Sequence, residues 1–96
     1  MRHVHVMLRG RVQGVGYRAW CAREAERRGL LGFVRNSRSG AVEAVFAGPA
    51  EEVEAMLAAC RTGPAGARVD EMLVNEMSDA ALAAGGRERF AVLETL

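Results

Sequence analysis

Gly10-Arg11-Val12-Gln13-Gly14-Val15-Gly16-Tyr17-Arg18 is the stretch on which the reading of this chain turns. It follows Val4-His5-Val6-Met7-Leu8, whose alternating apolar pattern predicts a strand over about 3–9. It runs into a helical pattern from Tyr17 to Arg28. The stretch is therefore a strand-to-helix turn with three glycines and an arginine at the helix entrance. Glycine gives access to positive φ and lets a ligand approach the main chain closely. The first N–H groups of a helix lack internal partners, and the helix dipole puts partial positive charge there. Such a turn suits an anion, phosphate above all. Arg18 adds a planar fork of donors that matches phosphate oxygens. The spacing is neither that of a Walker A loop, which needs Gly-Lys-Ser/Thr, nor that of a dinucleotide fingerprint. A plain strand-to-helix turn with a surface arginine shares the pattern, so the turn alone leaves function open.

Outward from the turn, Tyr17, Cys21 and Ala25 recur at every fourth position, a narrow apolar stripe that faces a sheet. Trp20 lies beside that stripe, and Gly29 suits the residue just past the helix. A second strand is predicted over Leu31 to Asn36, a hairpin turn at Ser37-Arg38-Ser39-Gly40, and a third strand over Ala41 to Ala47. Gly48-Pro49 ends it. A second helix opens at Pro49 or Ala50, with Glu51 and Glu52 where the dipole favours anions. Val53, Met56, Leu57 and Cys60 form its buried stripe. After a loop at 62–66 comes a fourth strand over Ala67 to Met77, a loose connection over 78–87 and a short edge strand in Phe90 to Leu93. The order β-α-β-β-α-β plus a terminal β is the split-βαβ, ferredoxin-like motif. That predicts an α+β fold, an antiparallel sheet with both helices on one face, in effect a two-layer α/β sandwich.

The 96 residues suit one domain, 1–96, with one core. No apolar run reaches the ~18 residues of a membrane span, and no signal-peptide pattern precedes the first strand, so a cytoplasmic protein without a membrane partner is expected. A net charge of +1 implies no nucleic-acid partner. The charge is nonetheless uneven: residues 1–40 carry nine arginines against Glu24 and Glu26, which makes +7, and residues 41–96 carry four against ten acids, which makes −6. Positive charge is therefore expected around the glycine turn. Cys21 and Cys60 are too few for a disulfide scaffold and fall on the helix stripes, as small buried side chains or as one bridge between the helices. His3 and His5 start the first strand on the face opposite Val4, Val6 and Leu8. They read as exposed, lack a third metal ligand, and lie more than about 15 Å from the turn at ~3.3 Å per residue.

The topology brings a second residue to the turn. Strands one and two are parallel across a helix, and strand three lies between them. Their carboxyl ends share one edge, about two strand spacings or ~10 Å apart. The glycine turn follows strand one and Asn36 ends strand two, so Asn36 stands across from Arg18, with room for a phosphate and one water. A turn-starting asparagine is also common in its own right.

With both stretches in place, the chain resembles the acylphosphatase family. Gly10 to Arg18 matches its Gly-x-Val-Gln-Gly-Val-x-aromatic-Arg phosphate loop, and Gly32-Phe33-Val34-Arg35-Asn36 with Gly40-Ala41-Val42-Glu43 matches its second signature. The likeness continues through Ala47-Gly48-Pro49 and the stretch from Gly63 to Val69, to about Met77. Tyr17, Ser39 and Arg28 depart from the usual phenylalanine, aspartate and apolar residue, and 90–96 lack the usual closing aromatic or basic residue. The resemblance implies hydrolysis of acyl phosphates to a carboxylate and inorganic phosphate, without metal; no cofactor is expected, and a monomer is the expected state, though residue pattern alone does not decide it. It implies that Arg18 holds the phosphate with backbone N–H groups across Gln13, Gly14, Val15, Gly16, Tyr17 and Arg18, and that Asn36 orients the attacking water. Two rivals share the fold. One is a non-catalytic anion-binding module: related domains open larger hydrogenase-maturation proteins, and a chain of 96 residues favours a free-standing enzyme instead. The other is an RNA-recognition module, which needs aromatics on the central strands, where only Phe46 is found.

Overall fold

Alternation along the first strand turns Val4, Val6 and Leu8 to one face, and all three are fully buried. The computed structural model describes residues 1–77 and 90–95. Its elements are β1 (Arg2–Arg11), α1 (Tyr17–Arg27), β2 (Leu31–Asn36), β3 (Val42–Gly48), α2 (Ala50–Thr62), β4 (Arg68–Glu76) and β5 (Ala91–Val92). The strands form one sheet in the order β4-β1-β3-β2-β5. β3 runs antiparallel between β1 and β2, as the split-βαβ reading requires.

The sheet is mixed rather than purely antiparallel. β5 pairs parallel with β2, through Phe33↔Ala91 and Val34↔Val92. It follows β4, at the opposite edge, so no hairpin joins it to β2 and forces a reversal of direction. The strand ends also shift. β1 runs on to Arg11 because a register shift between Arg9 and Gly10 lets pairing with β4 resume at Gly10↔Val69. Gly10 thus belongs to the sheet and not to the turn. β3 covers Val42–Gly48 rather than 41–47, β4 stops at Glu76, β5 is two residues long, and α1 ends at Arg27. The connection predicted over 78–87 lies outside the described residues.

Both helices cover the same face. Tyr17, Cys21 and Ala25 of α1, and Val53, Met56, Leu57 and Cys60 of α2, join Val4, Val6, Leu8, Val34, Val42, Ala44 and Phe46 in one core. Phe90 anchors the chain ahead of β5 by stacking on Phe46, with ring centroids 5.6 Å apart. β2 comes so close to β3 at Gly32 (φ 129°) that a Cβ there would lie 1.8 Å from the carbonyl oxygen of Val45. Cys21 and Cys60 are both buried and both free, so no bridge joins the helices. A hydrogen bond to Cys60 and burial hold the Cys21 thiol well above its usual range.

The opposite sheet face is not the simple exposed surface expected. His3 is only 7 % exposed, in a row with Ala47 and Leu31. His5 lies 2.6 Å from Glu43, whose other oxygen accepts a 2.5 Å hydrogen bond from Arg35. Folding also cancels much of the charge asymmetry along the chain. Arg2 pairs with Glu54 and Glu76, Arg9 with Glu71, Arg28 with Glu52, and Arg35 with Glu43. Among the described helices none is long and apolar enough to cross a membrane.

Candidate active site

Three anchors shape the turn between β1 and α1. At its start Val12 is buried in the core, 1 % exposed. Next, the side chain of Gln13 reaches back to the β2–β3 hairpin, where its Nε2 donates to the carbonyl oxygens of Ser37 and Ala41, both at 2.8 Å. At the far end Tyr17 is buried, and its hydroxyl donates to the carbonyl oxygen of Cys60 at 2.6 Å, satisfying a carbonyl in the last turn of α2. Its ring meets Trp20 edge-on at 5.3 Å. Between these anchors Gly14 (φ 76°) and Gly16 (φ 78°) take left-handed conformations, and a Cβ at either would meet nothing within 4 Å. Glycine is needed there for backbone freedom and not for space.

The turn delivers an uncapped helix. Gly16 is the N-cap of α1, no side chain caps it, and no acid sits in the first turn. The contrast with α2 is direct, since Glu51 and Glu52 occupy its first turn. The dipole of α1 thus meets no carboxylate of its own first turn. Arg18 lies in that first turn, and no described residue pairs with its guanidinium. Asn36 ends β2 across the gap, and its carboxamide likewise has no protein partner among the described residues.

These groups border one cavity of about 320 Å³. Val12, Gln13, Gly14, Gly16, Tyr17, Arg18 and Ala19 line it from the turn and α1, and Asn36 and Val92 line it from β2 and β5. Arg18 and Asn36, assigned from the sequence, therefore open onto the same space. Val15 is the exception within the turn: it does not line the cavity and packs partly against the core. Among the described residues no histidine, cysteine or carboxylate lines it. Burial, with Cys60 and Cys21 close by, pushes the Tyr17 phenol well above its usual range, so it stays protonated. Among the described residues no three His, Cys, Asp or Glu side chains converge as metal ligands.

Two features escaped sequence reasoning. The Gln13 side chain ties the turn to the hairpin, whereas only its main chain was singled out. Val92 lines the cavity from the edge strand. Neither carries a local signal, since each depends on partners more than 20 residues away.

The family model for acylphosphatase matches residues 4–90. The chain belongs to the acylphosphatase family. It is 56 % identical over 94 residues to an acylphosphatase of Rhodopseudomonas palustris (strain BisB5), covering 95 % of this chain and 93 % of that one. It is 65 % identical over 69 residues to an acylphosphatase of Azorhizobium caulinodans, covering 72 % of this chain and 74 % of the relative. The crystal structure of acylphosphatase from Bacillus subtilis superposes with a TM-score of 0.88 at 31 % identity, covering 97 % of this chain and 99 % of that one. The chain is thus an enzyme of the acylphosphatase family, with the ferredoxin-like fold. Gln13, Arg18 and Asn36 lie inside the matched segment, and Val92 lies just beyond it.

Proposed function

We propose that the cavity receives the phosphoryl end of an acyl phosphate and splits the carboxyl–phosphate bond with water. The oxygen of water forms a bond to phosphorus. The phosphorus–oxygen bond to the acyl group breaks, and the carboxylate leaves with the electron pair. The proton from water passes to the phosphate product or to solvent. Phosphoryl transfer passes through a loose transition state, so positioning and charge stabilisation do most of the work. A carboxylate is a good leaving group, and no strong general acid is required. A lining without histidine, cysteine or carboxylate among the described residues fits that chemistry.

Arg18 grips two phosphate oxygens with its fork, and main-chain N–H groups along Gln13 to Arg18 take the others. Asn36 orients the water. The observation that carries this reading is the pair Arg18 and Asn36, without partners among the described residues, on opposite walls of one cavity at an uncapped helix start. The same reading has a monomer acting on a small molecule in the cytoplasm.

The test is hydrolysis of acetyl phosphate with chelator present. Arg18→Ala is expected to lower turnover by at least ~10²–10³-fold, the usual cost of a preorganised donor, and to weaken inhibition by phosphate. Arg18→Lys does not restore it, because the fork is lost. Asn36→Ala lowers kcat and leaves phosphate inhibition largely intact. With no histidine, cysteine or carboxylate among the described lining residues, kcat is expected to be flat from about pH 6 to 8. An Asn36→Ala enzyme that turns over normally but no longer binds phosphate would refute its role. A folded wild type that binds phosphate without turnover would favour the anion-binding module.

A further inference from the structure

We infer that Val92 forms the binding wall for the acyl group and sets which acyl phosphates this enzyme prefers. The inference rests on the phosphate reading above and adds the other end of the substrate. A phosphate has five heavy atoms, the space of two or three waters at ~30 Å³ each. It fills less than about a third of a 320 Å³ cavity, so the remainder is open to the group attached to it.

Beside the polar Gln13, Arg18 and Asn36, the lining includes four apolar or aromatic side chains, Val12, Tyr17, Ala19 and Val92. Val12 and Tyr17 are core side chains, each 1 % exposed, and Ala19 offers one methyl group. Among the described residues Val92 is the one branched apolar side chain that both lines the cavity and is 50 % exposed. The sheet holds it there. Val34↔Val92 is a registered parallel pair, and the main-chain N–H of Leu93 donates to the carbonyl oxygen of Val34 at 2.9 Å. Val34 lies two residues before Asn36, so Val92 and Asn36 share a sheet face. One strand spacing and two residues separate them, about 8 Å. α1 packs beside β2 and β5, and the cavity is bordered by the turn, by Ala19 of α1 and by Val92 of β5.

Core packing does not account for this valine. Phe90, 5 % exposed and stacked on Phe46, anchors the chain two residues earlier, and main-chain pairing fixes β5. Half of Val92 is left facing water, where an apolar acyl group would cover it.

The experiment compares kcat/KM for benzoyl phosphate and acetyl phosphate in wild type, Val92→Ala and Val92→Thr. Threonine keeps the branched shape and strand preference and replaces one methyl by a hydroxyl, so it reports even if the alanine variant folds poorly. A methylene in an enclosed pocket changes specificity by about 10–200-fold, and a half-exposed wall is worth less. The benzoyl-to-acetyl ratio is expected to fall roughly threefold to tenfold in both variants. A ratio unchanged in both, in an enzyme that hydrolyses both compounds, overturns the inference and leaves the phosphate reading standing. A wild type that hydrolyses neither overturns both.

Discussion

Replacing Gln13 by leucine removes two hydrogen bonds and little volume, and the structure allows the cost to be worked out. Nε2 of Gln13 donates to Ser37 and Ala41 at 2.8 Å. Both carbonyls keep another donor: Gly40 N–H on Ser37 at 3.0 Å, and Ser37 N–H on Ala41 at 2.8 Å. The variant leaves no orphaned acceptor, so the loss is the net value of two bonds, about 0.5–1.5 kcal/mol each, or ~1–3 kcal/mol together. For a domain of this size that is a fall in Tm of roughly 4–24 °C. The effect on rate comes through geometry. Gln13 is the strap between the turn that carries Arg18 and the hairpin that begins after Asn36, and a shift of ~1 Å between reacting groups costs about 10²-fold. Gln13→Leu is therefore expected to lose one to two orders of magnitude in kcat, with a smaller change in phosphate inhibition. Gln13→Glu is expected to do worse at neutral pH, because a carboxylate would face two carbonyl oxygens. The assays are thermal unfolding followed by circular dichroism and acetyl phosphate kinetics below Tm. A Gln13→Leu enzyme with wild-type kcat would refute the strap as a positioning device, whatever its Tm.

Two further outcomes follow from the sheet. Gly32→Ala would drive a Cβ to within 1.8 Å of the Val45 carbonyl oxygen at φ 129°, so a loss of more than ~3 kcal/mol is expected, read as insoluble or unfolded protein. Soluble protein with near-wild-type urea stability would contradict the close approach. For Glu43, burial raises the carboxyl pKa, but the hydrogen bonds from His5 and Arg35 outweigh it and bring it below the ordinary value of 4.5. A lowered folded pKa means stability present above 4.5 and lost as pH falls through the folded value. The urea midpoint of wild type should drop between about pH 5 and 3. Glu43→Gln should lose stability at neutral pH and flatten that slope, and an identical slope in both proteins would remove Glu43 as its source.

Much of this molecule is legible from local pattern. Val4-Val6-Leu8 alternates, Tyr17-Cys21-Ala25 and Val53-Met56-Leu57-Cys60 repeat at helical spacing, and each pattern folds as its period dictates, because one face must leave water. Arg18 and Asn36 were readable as a pair because the split-βαβ order brings the ends of β1 and β2 to one edge. What lay beyond reach depends on partners distant in the chain. The run of arginines suggested a positive turn, yet acids from later strands and α2 neutralise Arg2, Arg9, Arg28 and Arg35 while Arg18 keeps no ion partner among the described residues.

The sequence by itself determined the elements, their order and the residue types at the turn, since these follow from residue type and short-range spacing. Tertiary structure decided the rest: that β5 joins parallel at the far edge, that Gln13 straps the turn to the hairpin, and that Val92 faces the cavity. These rest on contacts between strands and loops far apart in the chain, and such contacts exist only once the sheet has set its register.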